Sequence, residues 1–138
     1  MPVDIRTLGL PIVETIEPYS ERLQGLTRTA AEAISALRVV RSSTLTAVVL
    51  ARWPESLSTA PLGVTTTSAT LGDNISIQTG GELEDNAWSW TPGSPVFLGA
   101  NGTLTQTQPT TNYTLVIGKA VTPKRLLIRI QAPIYLAP

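Results

Sequence analysis

The chain has 138 residues, ten basic and ten acidic side chains, no histidine and no cysteine. That length supports one domain with a sizeable core, while the missing residue types exclude disulfides, thiolate metal sites and histidine-based catalysis. Zero net charge and a charged fraction of only 14% lack the basic footprint of a nucleic-acid binder and suit a surface meant to be covered.

Threonine (20 residues) and serine (10) are abundant beside 11 prolines and 10 glycines. This composition favours short strands and turns over helices. No segment has the run of about 18 apolar residues of a membrane helix, so no membrane partner is expected. The start, "MPVDIRTLGLPIVETIEP", lacks a basic region followed by an apolar core, which predicts synthesis in a cytoplasm rather than export.

Residues 1–31 read as an N-terminal arm and residues 32–138 as a β domain. Pro2, Pro11 and Pro18 punctuate the arm and hold the residue before each in extended shapes. The stretch "YSERLQGL" permits one or two helical turns, with Ser20 as cap and Leu23 and Leu26 on one side. Such a terminus is either loosely packed or a docking arm. Its apolar side chains Leu8, Leu10, Ile12, Val13, Ile16, Leu23 and Leu26 are many for a solvated tail, which favours docking on a partner.

Alanine-rich residues 30–36 permit a helix, whereas Leu37, Val39 and Val40 prefer a strand. Strands are then predicted over 44–53, ended by Pro54, over 62–70, and over 75–78 after a Gly72-Asp73-Asn74 turn. "ELEDNAWSW" alternates, placing Trp88 and Trp90 on one strand face. "PVFLGANGTLTQTQ" reads as a hairpin around Asn101-Gly102. Further strands follow at 113–121 and 126–131 around a Thr122–Arg125 turn, then a last extended piece, "APIYLAP". The predicted core comprises Val39, Val64, Ile75, Ile77, Val96, Val116, Ile128 and Ile130.

The chain repeats itself. "STLTAV" matches "GTLTQT", and residues 61–83 match 116–136 through a shared skeleton of glycine, a β-branched pair, a turn and Ile-x-Ile-Gln. Gly63 thereby aligns with Gly118, and Gln78 with Gln131. The expected architecture is therefore an all-β antiparallel sandwich or barrel with internal pseudo-duplication, its repeats near 36–83 and 94–136, preceded by an extended arm.

Little in the chain carries chemistry. Glu82 and Glu84 share one strand face and invite comparison with a glycosidase pair, but the bland reading is a solvated loop between strands. "ELEDN" lacks the spacing of a calcium loop. Lys119, Lys124 and Arg125 form a small basic turn, read as solvent-exposed. With two lysines, neither in Ser-x-x-Lys spacing, and no phosphate loop or nucleophile motif, no enzyme activity, cofactor or metal is expected. Trp88 and Trp90 are either core residues or a partner- or glycan-contacting pair, since indole N–H groups favour interface rims.

Trp88 and Trp90, Pro92-Gly93, Pro95–Gly99, Asn101-Gly102, Leu104–Pro109, Ile117-Gly118 with Ala120, and Pro133–Leu136 together resemble the C-terminal module of small bacteriophage virion proteins. These include tail-fibre, baseplate-fibre, head-fibre and decoration proteins. The resemblance covers about 50 residues well and 33–83 loosely. It implies a β-structured, often trimeric virion subunit without enzymatic activity, made in the host bacterial cytoplasm. Its partners would be other proteins of tail, baseplate or capsid. The first expectation is a tail- or baseplate-fibre subunit attached through the arm; the alternative is a capsid decoration (cement) protein, or a host-adhesion module binding a surface glycan.

Overall fold

A computed structural model describes residues 25–57 and 59–136. Among them there is no helix. Twelve short strands run in chain order: β1 (Gly25–Ala30), β2 (Val39–Ser42), β3 (Ala47–Leu50), β4 (Pro61–Thr65), β5 (Asn74–Gln78), β6 (Gly81–Glu84), β7 (Pro95–Leu98), β8 (Leu104–Thr105), β9 (Tyr113–Thr114), β10 (Val116–Thr122), β11 (Arg125–Ile128) and β12 (Ile134–Tyr135). Gly25–Ala30, which the sequence grouped with the arm and its helical turns, is thus a strand. The rest of the arm, with Leu8, Leu10, Ile12, Val13, Ile16 and Leu23, lies outside the described residues.

The strands form two five-stranded sheets with one order. The first is a closed barrel that reads β3-β2-β4-β5-β1, and the second sheet reads β8-β7-β10-β11-β6. Numbered by chain order within each sheet, both are third, second, fourth, fifth, first. Strands β9 and β12 pair separately as a two-stranded ribbon. The barrel closes through β1, which pairs antiparallel with β5 over five residues and parallel with β3 over two. The second sheet has no such closing ladder between β6 and β8.

Gly63 and Gly118 mark equivalent places. A Cβ on Gly63 would strike the carbonyl oxygen of Gln78, and one on Gly118 the carbonyl oxygen of Leu127. In each sheet the fourth strand passes too close to the fifth for any side chain at that point. The glycine match therefore holds, but the structural counterpart of Gln78 is Leu127, not Gln131. Both sheets carry a bulge at the matching step, in β10 between Val116 and Gly118 and in the β2–β4 ladder between Val40 and Arg41, so the two differ only beyond the fifth strand. Strand β11 ends at Ile128, and the chain beyond it follows β10 through Arg129 N–H to Ile117 C=O (2.8 Å) and Gln131 N–H to Val116 C=O (3.0 Å).

Two apolar cores result. One fills the barrel with Ala30, Ile34, Val40, Val48, Ile75 and Ile77. The other lies between the sheets, where Val39, Ala51 and Val64 of the first meet Val96, Leu98, Leu115, Ile117, Leu126 and Ile128. Adjacent Val39 and Val40 point to opposite faces of β2 and so serve different cores. Six of the eight predicted core residues are buried. Val116 and Ile130 are only half-buried, because Val116 alternates with buried Leu115 and Ile117 and so faces outward, and Ile130 lies beyond the strand.

The alanine-rich stretch does not become a helix. Ala30 and Ala31 extend the β1 pairing, and Leu37 takes a left-handed φ of 63°, which no α-helix admits. The buried hydroxyl of Thr65 holds this turn by donating to Ser35 C=O (2.8 Å) and accepting from Arg38 N–H (3.0 Å).

The close approach at Gly118 makes a contrast testable by denaturant unfolding. Gly118→Ala is expected to destabilise the domain by about 1–3 kcal/mol through overpacking. Gly25→Ala, with no atom within 4 Å of its Cβ, is expected to change stability by less than about 0.5 kcal/mol.

Candidate interaction surfaces

Trp88 and Trp90 are not on a strand. They lie in the loop that follows β6, which folds back over the β10–β11 hairpin. Asp85 N–H donates to Lys124 C=O (3.0 Å), Trp90 N–H to Pro123 C=O (2.9 Å) and Gly93 N–H to Ala120 C=O (2.8 Å). The Lys124 ammonium donates to Trp88 C=O at 2.9 Å. The two rings stand 5.4 Å apart at 49°, half-buried and packed on the inter-sheet core with Leu83 and Leu104. Trp90 Nε1 is buried without a partner among the described residues.

This loop also does for the second sheet what β1 does for the first. The Gln106 side chain accepts from Thr91 N–H (2.8 Å) and donates to Thr91 C=O (3.0 Å) and Ser94 C=O (3.3 Å). Its amide thus imitates a strand residue and ties the end of β8 to the tryptophan loop. In the barrel a carboxylate reinforces the equivalent seam: Glu32 accepts from Leu50 N–H (2.9 Å) and grips Arg52 at 2.9 and 2.6 Å. The Arg52 hydrogen bond, with help from Leu50 N–H, holds the Glu32 carboxyl below its ordinary range against the opposing effect of burial.

The Gly-Ala-Asn-Gly turn is a junction between repeats. Asn101 and Gly102 take φ of 55° and 75°, as a tight hairpin demands. Gly102 C=O accepts from Val39 N–H at 2.8 Å, and a Cβ on Gly102 would lie 2.7 Å from Val39 C=O. Next to it, Ala100 bridges Trp53. Trp53 Nε1 donates to Tyr113 C=O (2.9 Å) and Tyr113 OH to Glu55 C=O (2.8 Å); burial raises the Tyr113 phenol above its usual pKa.

Of the acids and bases noted in the sequence, Glu82, Glu84 and Arg125 form surface pairs. Arg125 reaches Glu82 (3.5 Å) and Glu84 (3.3 Å) across the register Leu127↔Glu82 and Arg125↔Glu84. Among the described residues no group of three or more acids, histidines or cysteines is placed to hold a metal. Large apolar side chains are exposed at Leu45, Leu71, Val121, Ile134 and Tyr135. Leu45 lies in the β2–β3 hairpin and Leu71 before β5, while Ile134 and Tyr135 form β12, whose Tyr135 packs 6.0 Å from Tyr113. Sequence reading missed Gln106 and the Glu32–Arg52 clamp. Gln106 sits inside the Leu-Thr-Gln-Thr motif, which was a signal; Glu32 and Arg52 are 20 residues apart with none.

A family model of phage cement proteins matches residues 21–125. The chain belongs to the phage cement protein family. It is a small bacteriophage virion structural protein. The crystal structure of the head fiber gp8.5 N base of bacteriophage phi29 is similar to it at a TM-score of 0.48 and 17% identity, over 83% of this chain and 98% of that one. No curated protein matches it.

Two substitutions test the seams of this cement-family domain. Glu32 is depressed when folded, so its stabilisation is present above the unfolded-state pKa and is lost as pH falls through the folded value. Glu32→Gln should therefore be less stable than wild type at pH 7, by about 1 kcal/mol after discounting for solvent, and the gap should narrow as pH falls below the ordinary Glu pKa of about 4.3 and close only below the lowered folded value. Chemical denaturation across pH measures this. Gln106→Ala should cost about 1–2 kcal/mol and speed amide exchange of residues 88–94 more than elsewhere.

Proposed function

We propose that the chain is a non-enzymatic capsid decoration subunit, placed on the phage head and attached through its N-terminal segment. The carrying observation is the cement-family match over residues 21–125, which favours the decoration alternative over the tail- or baseplate-fibre reading. The two acids nearest to a glycosidase arrangement, Glu82 and Glu84, are both engaged by Arg125 on an open sheet face, which supports a surface without catalysis.

The β domain is self-sufficient in its pairing: β1 closes the barrel and the Gln106 amide closes the second sheet. Attachment then falls to what the domain does not use. Residues 1–24 carry Leu8, Leu10, Ile12, Val13, Ile16 and Leu23, and such side chains gain burial on a partner at about 25 cal/mol per Å² of apolar surface before ordering costs. Low charge supports a homo-oligomer on the particle, a trimer by the resemblance noted above.

Deleting residues 2–24 tests the assignment; the cut must stop there because Gly25 opens β1. The truncated protein is expected to keep the circular dichroism of the β domain while its binding to heads lacking the native protein falls at least about tenfold, a loss of about 1.4 kcal/mol. Undiminished binding would move attachment to the β domain. Binding of the full chain to isolated tails rather than heads would overturn the decoration reading.

A further inference from the structure

The outer face of the second sheet carries a groove of about 330 Å³ lined by Pro95, Val116, Lys119, Leu127, Arg129 and Gln131. Its two cations stand apart from the rest. Arg52, Lys124 and Arg125 are held by carboxylates or a carbonyl, and Arg28 and Arg38 meet backbone carbonyls. Lys119 and Arg129 meet no acceptor among the described residues, and they lie beside half-buried Val116 and Leu127. An acidic segment with apolar side chains fits such a groove.

We propose that residues 17–24 of this chain dock across the outer face of their own second sheet, with Glu17 and Glu21 meeting Lys119 and Arg129. Charge is complementary: residues 1–24 hold four acids against two bases, and residues 25–138 hold eight bases against six acids. Position agrees. Gly25, where this segment joins β1, is the register partner of Gln78, and the Gln78 amide donates to Glu82 C=O at 2.9 Å. Glu82, Leu127, Lys119 and Pro95 form one row across β6, β11, β10 and β7. At a strand spacing of about 4.8 Å, Lys119 is two strands from Glu82.

Reach is sufficient. Four extended residues from Gly25 to Glu21 span roughly 13 Å, and eight to Glu17 roughly 26 Å. Arg22 is the charge nearest Gly25 and meets the Glu82 side of the row first, leaving the two acids for the cations beyond. A tethered segment this short works at millimolar effective concentration, which favours the segment's own sheet over a second copy. The consequence is directional: residues 1–16, with Leu8 to Ile16, leave the domain from the Lys119 side of that sheet.

The absence of cysteine makes the test clean. Two double variants of the full chain, Glu21→Cys with Lys119→Cys and Glu17→Cys with Lys119→Cys, are oxidised at low micromolar concentration and read by non-reducing gel and peptide mass spectrometry. Glu21→Cys with Leu45→Cys, on the exposed β2–β3 hairpin, is the reference. At least one Lys119 pair is expected to close within the monomer about tenfold faster than the reference, as local effective concentration dictates. Adding Arg129→Glu should slow it severalfold, and Arg129→Lys should not. A dimer band would assign the groove to a second copy and overturn the proposal. So would equal rates at Leu45, or no cross-link in variants whose circular dichroism is native.

Discussion

The contact between the Asn101–Gly102 turn and Val39 is the one on which the rest of the structure depends. Val39 donates to Gly102 C=O at 2.8 Å and accepts from Ala51 N–H at 2.9 Å. Its side chain meanwhile lies in the inter-sheet core. One residue therefore joins the hairpin of the second repeat, the end of β3 and the shared apolar interior. Without a bare Cα at Gly102 the turn could not come within reach of that backbone. The opposite face of the same strand, at Val40, fills the barrel. The two sheets are thus a single body because β2 is buried on both sides.

The second constraint is the treatment of edges. Unpaired strand edges invite adventitious pairing, and a duplicated unit has twice as many to manage. The first repeat spends its own first strand on closure. The second cannot, because β6 and β8 do not pair, and it uses the tryptophan loop and one glutamine amide instead. Glu82 and Glu84 leave carboxylates on β6, which discourage another strand from adding there. The product is a domain whose sheet edges are covered by a strand, a loop or charged side chains.

What the sequence made legible were features whose cause is local. Ile75 and Ile77 alternate because β5 is half-buried; Asn101-Gly102 spells its turn; Gly63 and Gly118 mark close strand approach. The duplication was visible because the same local devices recur. What escaped depends on distant geometry. The Ile-x-Ile-Gln match failed in the second repeat because β11 ends at Ile128, before Ile130 and Gln131, and nothing near Ile130 announces it. Trp88 and Trp90 alternate like strand residues, yet hydrogen bonds to Pro123 and from Lys124 draw them into a loop. Gly25 and Leu26 looked like the end of an arm because their partners, Gln78 and Ile77, lie far along the chain. The Gln106 and Glu32 seams are likewise tertiary.

For function, the same split holds. The quoted motifs place the chain among phage virion proteins, and the family match narrows this to cement proteins. The proposed place on the head rests on that match and on a weakly charged domain with many apolar residues in the first 24 positions of the chain. A cryo-electron microscopy reconstruction of the whole virion tests this account most directly. It predicts density for the two-sheet domain on the outside of the head lattice, joined to the capsid by the N-terminal segment. Density at the tail or baseplate, with bare capsid elsewhere, would contradict it.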